Sequence, residues 1–185
     1  MKVLSTLTLM FVAAVSFAQT SERSIVTSID INAPVDTVWT RWTTPQGIKR
    51  FFAAEPHIEL QTLGRLDFYF NPSAPEGQRG AENNRVLAWQ QNQMLSFTWD
   101  APPNFPEIRK QRTVVIIRFT ELPGKKTNVT LTQTGWGSGK DWDTVFGYFG
   151  KAWSEFVLPN LKYSCENPAA NLSNIPKGLP AAKKL

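Results

Sequence analysis

Three side chains capable of acid–base or metal chemistry alternate along one short segment. Glu55, His57 and Glu59 lie two residues apart, so an extended chain places all three on one face. Two carboxylates beside an imidazole can hold a cation or tune the histidine for proton transfer. Pro56 equally fits a solvated strand start without a chemical role. His57 and Glu82 are the catalytic candidates, and neither belongs to a recognisable catalytic set.

The residue counts and motifs exclude several other kinds of site. The sequence has one Cys and one His, which rules out a disulfide framework and a multi-histidine metal site within one chain. The Gly-rich segment 135–139 lacks the spacing of a phosphate-binding loop, and no Gly-x-Ser-x-Gly hydrolase motif is present. No base is predicted beside Cys165, which indicates an inert thiol. We expect neither a metal ion nor a cofactor.

The charge distribution argues against nucleic acid as a partner. The formal net charge is +5 at pH 7, but the basic residues are scattered and no basic run exceeds two. A nucleic-acid-binding surface is expected to have a denser basic stripe. The basic residues are therefore interpreted as solvated surface charge.

The N-terminal residues have the pattern of an export signal. Lys2 precedes an apolar stretch from Val3 to Val15 that is too short to span a bilayer, and small residues fit cleavage between Ala18 and Gln19. Residues 1–18 are predicted to be a signal peptide. The mature protein is then expected to be periplasmic or secreted, with no transmembrane segment. An uncleaved anchor is the alternative.

Residues 19–166 are predicted to form one domain that begins with a strand and ends with a long helix. Two short helices follow the first strand, and apolar residues at helical spacing after Gly139 predict a long C-terminal helix that Pro159 kinks or ends. The composition of residues 167–185 predicts a flexible tail. Alternating apolar residues predict strands at 24–32, 57–61, 65–70, 79–89, 93–101, 111–122 and 127–136.

This order of elements predicts an α+β fold. A run of antiparallel strands cannot bury its inner face alone, and the long C-terminal helix is the obvious cover. We expect a curved sheet wrapped around that helix, with two short helices after the first strand. A sheet curved around a helix often leaves a cavity between them.

The same order of motifs resembles a known superfamily. Residues 29–39, which read Ile-Asp-Ile-Asn-Ala-Pro-Val-Asp-Thr-Val-Trp, are similar to the start of SRPBCC domains, also called START-like or Bet v 1-like domains. Residues 44–52, 86–99 and 127–135 resemble the motifs that follow in the AHSA1-like group, named after the activator of Hsp90 ATPase. The resemblance covers about residues 24–165 and implies the helix-grip fold.

The resemblance also implies a ligand. Members of the superfamily hold lipids, sterols, polyketides or other apolar molecules between sheet and helix, and a few polar side chains then orient the ligand. Alternatively, the aromatic residues simply fill the core, and Arg118 faces solvent. The candidate ligand-binding residues are Trp99, Arg118, Phe119, Gln133, Phe146, Phe149 and Trp153.

Three functions follow from these features. The first is an exported domain that binds a small apolar molecule in a cavity between the sheet and the C-terminal helix. The second is a chaperone-associated protein-interaction domain, which calls for a large exposed apolar patch. The third is a polyketide cyclase-like enzyme that works inside the cavity. Whether the chain is an enzyme stays open at this point.

Overall fold

Alternating apolar and polar residues produce one antiparallel sheet in the computed structural model, which describes residues 22–185. The predicted signal peptide lies outside these residues. The strands are β1 (Ile25–Ile31), β2 (Glu55–Ile58), β3 (Arg65–Tyr69), β4 (Gly80–Gln90), β5 (Met94–Trp99), β6 (Thr113–Leu122), β7 (Lys126–Thr134) and β8 (Lys183–Lys184). Their order across the sheet is β2-β3-β4-β5-β6-β7-β1-β8. The first long strand therefore pairs with the last, as Ile29 opposite Val129 illustrates.

The helices follow the predicted order, with one addition. They are α1 (Val35–Thr43), α2 (Pro45–Lys49), α3 (Pro106–Lys110), α4 (Lys140–Lys151) and α5 (Leu158–Glu166). Helix α3 lies between the predicted strands 93–101 and 111–122, where the sequence predicted no helix, and Pro106 is tolerated in its first turn. Among the described residues, no helix has the length and apolar character needed to cross a bilayer. The predicted helix-grip α+β fold is confirmed.

The pleat of the sheet decides which side chains face the helix. Ile117 and Phe119 of β6 are buried, and Arg118 between them is exposed on the opposite face. On β7, Leu131 and Gln133 are buried by the same alternation. The sheet thus places a polar residue, Gln133, in its apolar face.

The C-terminal helix changes its winding at residues 152–157. A π-helical segment there joins α4 to α5, and Pro159, which has no N–H to donate, follows directly. Regular helical spacing puts Phe156 and Val157 on the same apolar face as Trp153. The wider turn instead buries Val157 and leaves Phe156 62% exposed. The helix therefore continues past Pro159, and one aromatic side chain turns outward.

The C-terminal tail returns to the sheet. Strand β8 pairs with Thr27 and Ser28 of β1, and the Ala182 N–H donates to the carbonyl of Ser154 at 2.7 Å. These contacts cover part of the β1 edge, whose backbone groups would otherwise lack strand partners. The tail thus adds a short strand to the sheet by backbone pairing, which does not depend on apolar side chains.

Candidate functional site

Side chains fill most of the space between the sheet and the C-terminal helix. Trp99 lies 5.3 Å from Trp153 between ring centroids, and Phe149 stacks on Trp153 at 6.1 Å. A pocket of about 80 Å³ remains beside Trp99 and Phe149. Small-molecule sites usually measure roughly 300–1,000 Å³, so this space, here called the inner pocket, is too small to enclose such a ligand.

A larger depression, here called the aromatic groove, lies on the surface next to the inner pocket. Its volume is about 420 Å³, and its lining includes Phe52, Phe70, Tyr148, Lys151 and Phe156. Phe70 and Tyr148 also line the inner pocket, so the two spaces are adjacent. Phe70 is 49% exposed and Tyr148 is 55% exposed. Together with Phe156, they form an exposed aromatic surface around the groove.

Separate parts of the chain bring these side chains together. Phe70 directly follows β3, and its N–H donates to the carbonyl of Arg79 at 2.8 Å, which holds the start of the following loop. Phe52 follows α2, Tyr148 lies on α4, and Phe156 lies in the π-helical segment. The ring of Phe52 contacts that of Phe70 at a centroid distance of 5.6 Å. The groove therefore lies where the C-terminal helix, the sheet and the adjoining loops meet.

The charge of the groove comes from Lys151. Its side chain is the one ionisable group besides Tyr148 in the groove lining, and within residues 22–185 it forms no ion pair. Asn160, also in the lining, donates its amide N–H to the carbonyl of Phe51 at 3.3 Å. The groove thus combines aromatic walls with one cation that forms no ion pair within residues 22–185.

A buried ion pair borders the inner pocket. Asp100 lies 2.7 Å from the guanidinium of Arg109, and it accepts the amide N–H of Asn84 at 3.1 Å. Burial raises the pKa of Asp100, and the charge of Arg109 opposes that shift. Arg109 also donates to the carbonyl of Gly80 at 2.8 Å. The pair ties the segment that contains α3 to β4 and β5.

Glu82, one of the two catalytic candidates, is buried and fully partnered. Its carboxylate accepts the backbone N–H of Gly77 at 3.0 Å and the guanidinium of Arg79 at 2.9 Å. Burial alone raises the pKa of Glu82, but these hydrogen bonds outweigh it and hold the pKa below its ordinary value. In the structure, Glu82 therefore anchors the loop before β4.

His57, the other candidate, lies on the edge strand β2, away from the groove. Its Nε2 lies 3.3 Å from the carboxylate of Glu55, and its ring meets Tyr69 edge-on at 5.2 Å. Glu59 does not join them, because its carboxylate accepts the backbone N–H of Arg65 at 3.1 Å. No cluster of three metal-ligating side chains occurs in the part of the chain that the structure describes.

The seven predicted ligand-binding residues do not surround one space. Trp99 and Phe149 line the inner pocket. Phe119 packs edge-on against Trp39 at 5.5 Å, elsewhere in the core. Phe146 lies under the guanidinium of Arg23 at 4.0 Å. Arg118 faces outward, on the side of the sheet opposite the helix.

Gln133 and Trp153 are occupied with each other. The indole N–H of Trp153 donates to Gln133 Oε1 at 2.6 Å, and Gln133 Nε2 donates to Thr113 Oγ1 at 2.8 Å. The Thr113 hydroxyl donates in turn to the carbonyl of Trp99 at 3.0 Å. The polar group expected to orient a ligand therefore fastens the helix to the sheet.

None of the five groove residues named above was among the seven ligand-binding candidates. Tyr148 lies on the polar side of the helical pattern, so an aromatic residue at a position expected to be exposed was the available signal. Phe70 ends the predicted strand 65–70 on the same face as Phe68, so the pattern predicted its burial instead. Lys151 and Phe52 carried no such signal. Phe156 belongs to the predicted apolar face, and only the π-helical segment turns it toward the groove.

Cys165 near the end of α5 allows a prediction of pH dependence. Burial raises the pKa of its thiol from 9.0 to about 11. The unfolded chain therefore loses this proton first, and stability is lost as pH rises from 9 to 11. We expect the free energy of unfolding to fall across this interval by about 2–3 kcal/mol more in the wild type than in Cys165→Ala, measured by urea denaturation. Parallel pH profiles would contradict this expectation.

Solved structures share this fold at low sequence identity. The Aha1 dimer of Colwellia psychrerythraea has a TM-score of 0.62 at 19% identity, covering 80% of this chain and 99% of that one. A Mesorhizobium loti protein has a TM-score of 0.59 at 22% identity, with coverages of 78% and 94%. An Hsp90 activator of Plasmodium falciparum has a TM-score of 0.60 at 13% identity, with coverages of 75% and 92%.

Sequence comparison identifies the family. No curated protein sequence gives a significant match. The family model described as activator of Hsp90 ATPase homolog 1-like protein matches residues 32–163, which is more than half of the chain. These residues run from the end of β1 into α5 and include every side chain of the aromatic groove named above. The chain therefore belongs to the family of activator of Hsp90 ATPase homolog 1-like proteins.

Proposed function

We propose that this domain binds a small amphipathic molecule in the aromatic groove. The observation that carries the proposal is the adjacency of the groove to the inner pocket through Phe70 and Tyr148. The groove volume of about 420 Å³ suits a small molecule, and the pocket beside it adds about 80 Å³. A flat protein surface cannot use such a pocket, whereas one end of a small molecule can enter it.

The lining of the groove favours a ligand with an apolar body and an anionic end. Phe52, Phe70 and Phe156 offer aromatic surface, which gains free energy when a ligand removes it from water. Lys151 offers a positive charge without a carboxylate partner in the described residues. A carboxylate or sulfonate on the ligand complements that charge while staying near solvent.

The π-helical segment supports this placement. Single-turn π-helical insertions in α-helices occur frequently at functional sites, where they re-aim a side chain. Here the insertion exposes Phe156 at the groove while its neighbour Val157 stays in the core. The ring of Phe156 is 62% exposed to water, so it is available to contact a ligand in the groove.

Substituting Phe156 tests the proposal. We expect Phe156→Ser to weaken binding of anilinonaphthalene sulfonate about tenfold, because one large apolar contact is lost from the complex. The measurement is a fluorescence titration at equal ionic strength. The matched control is Leu63→Ser, since Leu63 is 67% exposed but does not line the groove. Equal affinity in both variants would contradict a site at the groove.

A protein partner is the second candidate, favoured by the exposure of Phe70, Tyr148 and Phe156 on one surface. The same variant separates the two. If wild-type protein binds no amphiphile but associates in sedimentation experiments, and Phe156→Ser abolishes that association, the groove is a protein-interaction surface. The enzyme hypothesis has less support, because Glu82 is partnered and His57 lies away from the groove.

We propose in addition that the domain acts outside the cytoplasm, on the strength of the N-terminal pattern. Cleavage between Ala18 and Gln19 would release a chain that starts at Gln19. N-terminal sequencing of protein from the exported fraction of its native source tests the cleavage site, and absence of the protein from that fraction would contradict export.

A further inference from the structure

The carbonyl of Ser154 lies in the π-helical segment and has lost its usual helical partner. In an α-helix this carbonyl accepts the N–H of the residue four positions on, which is Leu158. Here the Leu158 N–H donates to the carbonyl of Trp153 instead, as the wider turn requires. The π-helical partner of Ser154 is five positions on, at Pro159, which has no N–H. Neither helical donor is therefore available to this carbonyl.

A distant part of the chain supplies the missing donor. The Ala182 N–H donates to the Ser154 carbonyl at 2.7 Å, and both residues are buried. Ala182 begins the segment 182–185, here called the C-terminal strap, which also contains strand β8. A buried carbonyl without a hydrogen bond is costly, so this contact stabilises the π-helical winding. The strap is thus part of what holds the helix in its wider turn.

The strap is attached by few contacts. The Leu185 N–H donates to the carbonyl of Val26 at 2.9 Å. The Thr27 hydroxyl donates to the carbonyl of Lys183 at 3.0 Å. The side chains of residues 183–185 are exposed, so docking of this part buries little apolar surface. Segments with few buried contacts open at low cost in free energy, so the strap can undock while the sheet stays folded.

The winding of this segment decides whether Phe156 reaches the aromatic groove. If the Ser154 carbonyl loses the Ala182 donor, the Leu158 N–H is the helical donor that can replace it, and this narrows the turn to α-helical geometry. An α-helical turn returns Phe156 to the apolar face of the helix, away from the groove. Strap docking and the outward position of Phe156 therefore belong to the same conformation.

We propose that the C-terminal strap controls ligand binding at the aromatic groove, because its docking at Ser154 keeps the helix in the π-helical winding that exposes Phe156. This inference rests on the proposed function, since it assigns the regulation of the same groove. A ligand that contacts Phe156 favours the conformation in which the strap is docked. The coupling is reciprocal, so the ligand holds the strap in place by the same factor by which the strap strengthens binding.

The first experiment removes the donor and leaves the rest of the strap in place. Ala182→Pro has no N–H at this position, and we expect it to weaken binding of anilinonaphthalene sulfonate about fivefold in a fluorescence titration. Ala181→Pro is the matched control, because Ala181 is exposed and its N–H makes no hydrogen bond within residues 22–185. We expect this control to bind as the wild type does. Equal affinity of the wild type and Ala182→Pro, or an equal loss in both variants, overturns the inference.

The second experiment measures the coupling from the strap in wild-type protein. Hydrogen exchange of the Ala182 N–H is followed by NMR with and without saturating anilinonaphthalene sulfonate. We expect exchange to slow about fivefold, the same factor as in the titration. The Glu59 N–H is the control, because it donates to the carbonyl of Arg65 at 2.9 Å beside β2, at the opposite edge of the sheet. Where the probe binds, equal slowing at both N–H groups, or at neither, overturns the inference.

A label at position 156 distinguishes failure of this inference from failure of the proposed function. The fluorine NMR signal of 4-fluorophenylalanine at this position is compared in the wild type, Ala182→Pro and Ala181→Pro. We expect the signal to move in Ala182→Pro alone. If the probe does not bind but the signal moves in this way, the amphiphile proposal fails and the hold of the strap on the π-helical segment stands. If the probe binds all three proteins equally and the signal stays in place, the strap is overturned and the groove proposal stands.

Discussion

Replacing Asp100 by Ala is expected to lower the free energy of unfolding by about 3–5 kcal/mol. The Asp100 side chain is 1% exposed, and the substitution leaves the largely buried guanidinium of Arg109 without its nearest carboxylate. It also removes the acceptor of the Glu82 backbone N–H and of the Asn84 amide. The cost arises from leaving these groups buried without partners, since the intact ion pair itself contributes little net stability.

A nearby surface pair provides the control for Asp100. Glu107 and Lys110 lie 2.7 Å apart on α3 but are highly exposed, so Glu107→Ala is expected to change stability by less than about 1 kcal/mol. Urea denaturation at neutral pH, with similar denaturant dependence for all variants, gives both values. Comparable effects of the two substitutions would show that burial does not set the strength of the Asp100–Arg109 contact.

The second large effect is expected at Trp153. Trp153→Ala should cost about 3–5 kcal/mol, because it removes a large buried ring from the contact between helix and sheet. The ring stacks on Phe149 and contacts Trp99 and Phe52, so the loss leaves a cavity that these aromatics cannot fill without moving. Trp89→Ala is the control, because Trp89 lies partly exposed on the sheet. A smaller loss at Trp153 than at Trp89 would contradict the packing argument.

A double-mutant cycle separates packing from hydrogen bonding at the same place. Trp153→Phe keeps a ring but leaves Gln133 Oε1 without its donor, and we expect a loss of about 1–3 kcal/mol beyond the reduced packing. Adding Gln133→Leu removes the unpaired acceptor, so the double variant is expected to be more stable than the sum of the single effects predicts. Additive effects would mean that the Trp153–Gln133 contact has no energetic coupling.

These predictions also separate the residues expected to stabilise the fold from those expected to bind a ligand. Gln133, Trp153 and Phe119 are expected to affect stability, because their side chains are buried in contact with protein. Phe156 and Lys151 are expected to affect ligand binding, because they are exposed at the groove.

Local patterns were enough to predict the elements of the fold. Strict alternation in β6 and β7 and the helical spacing from Trp142 onward depend only on near neighbours in the chain, so they are visible without a structure. The motif at residues 29–39 added the family resemblance that the family match confirms. The short strand β8 escaped prediction, because its pairing with β1 uses backbone groups that any sequence has.

The sequence by itself determined an α+β domain with a helix covering a curved sheet, since burial of alternating and helical apolar faces leaves few other arrangements. Only the tertiary structure decided where the aromatic groove lies. The π-helical segment turned Phe156 outward, and Gln133 accepts a hydrogen bond from Trp153 rather than from a ligand. Folding also placed Phe70 and Tyr148 in the lining of one groove. Each of these outcomes depends on contacts between residues far apart in sequence, which no local pattern encodes. The physical reason is that periodicity specifies which face of an element is buried, whereas the volume left between elements depends on how all side chains pack together.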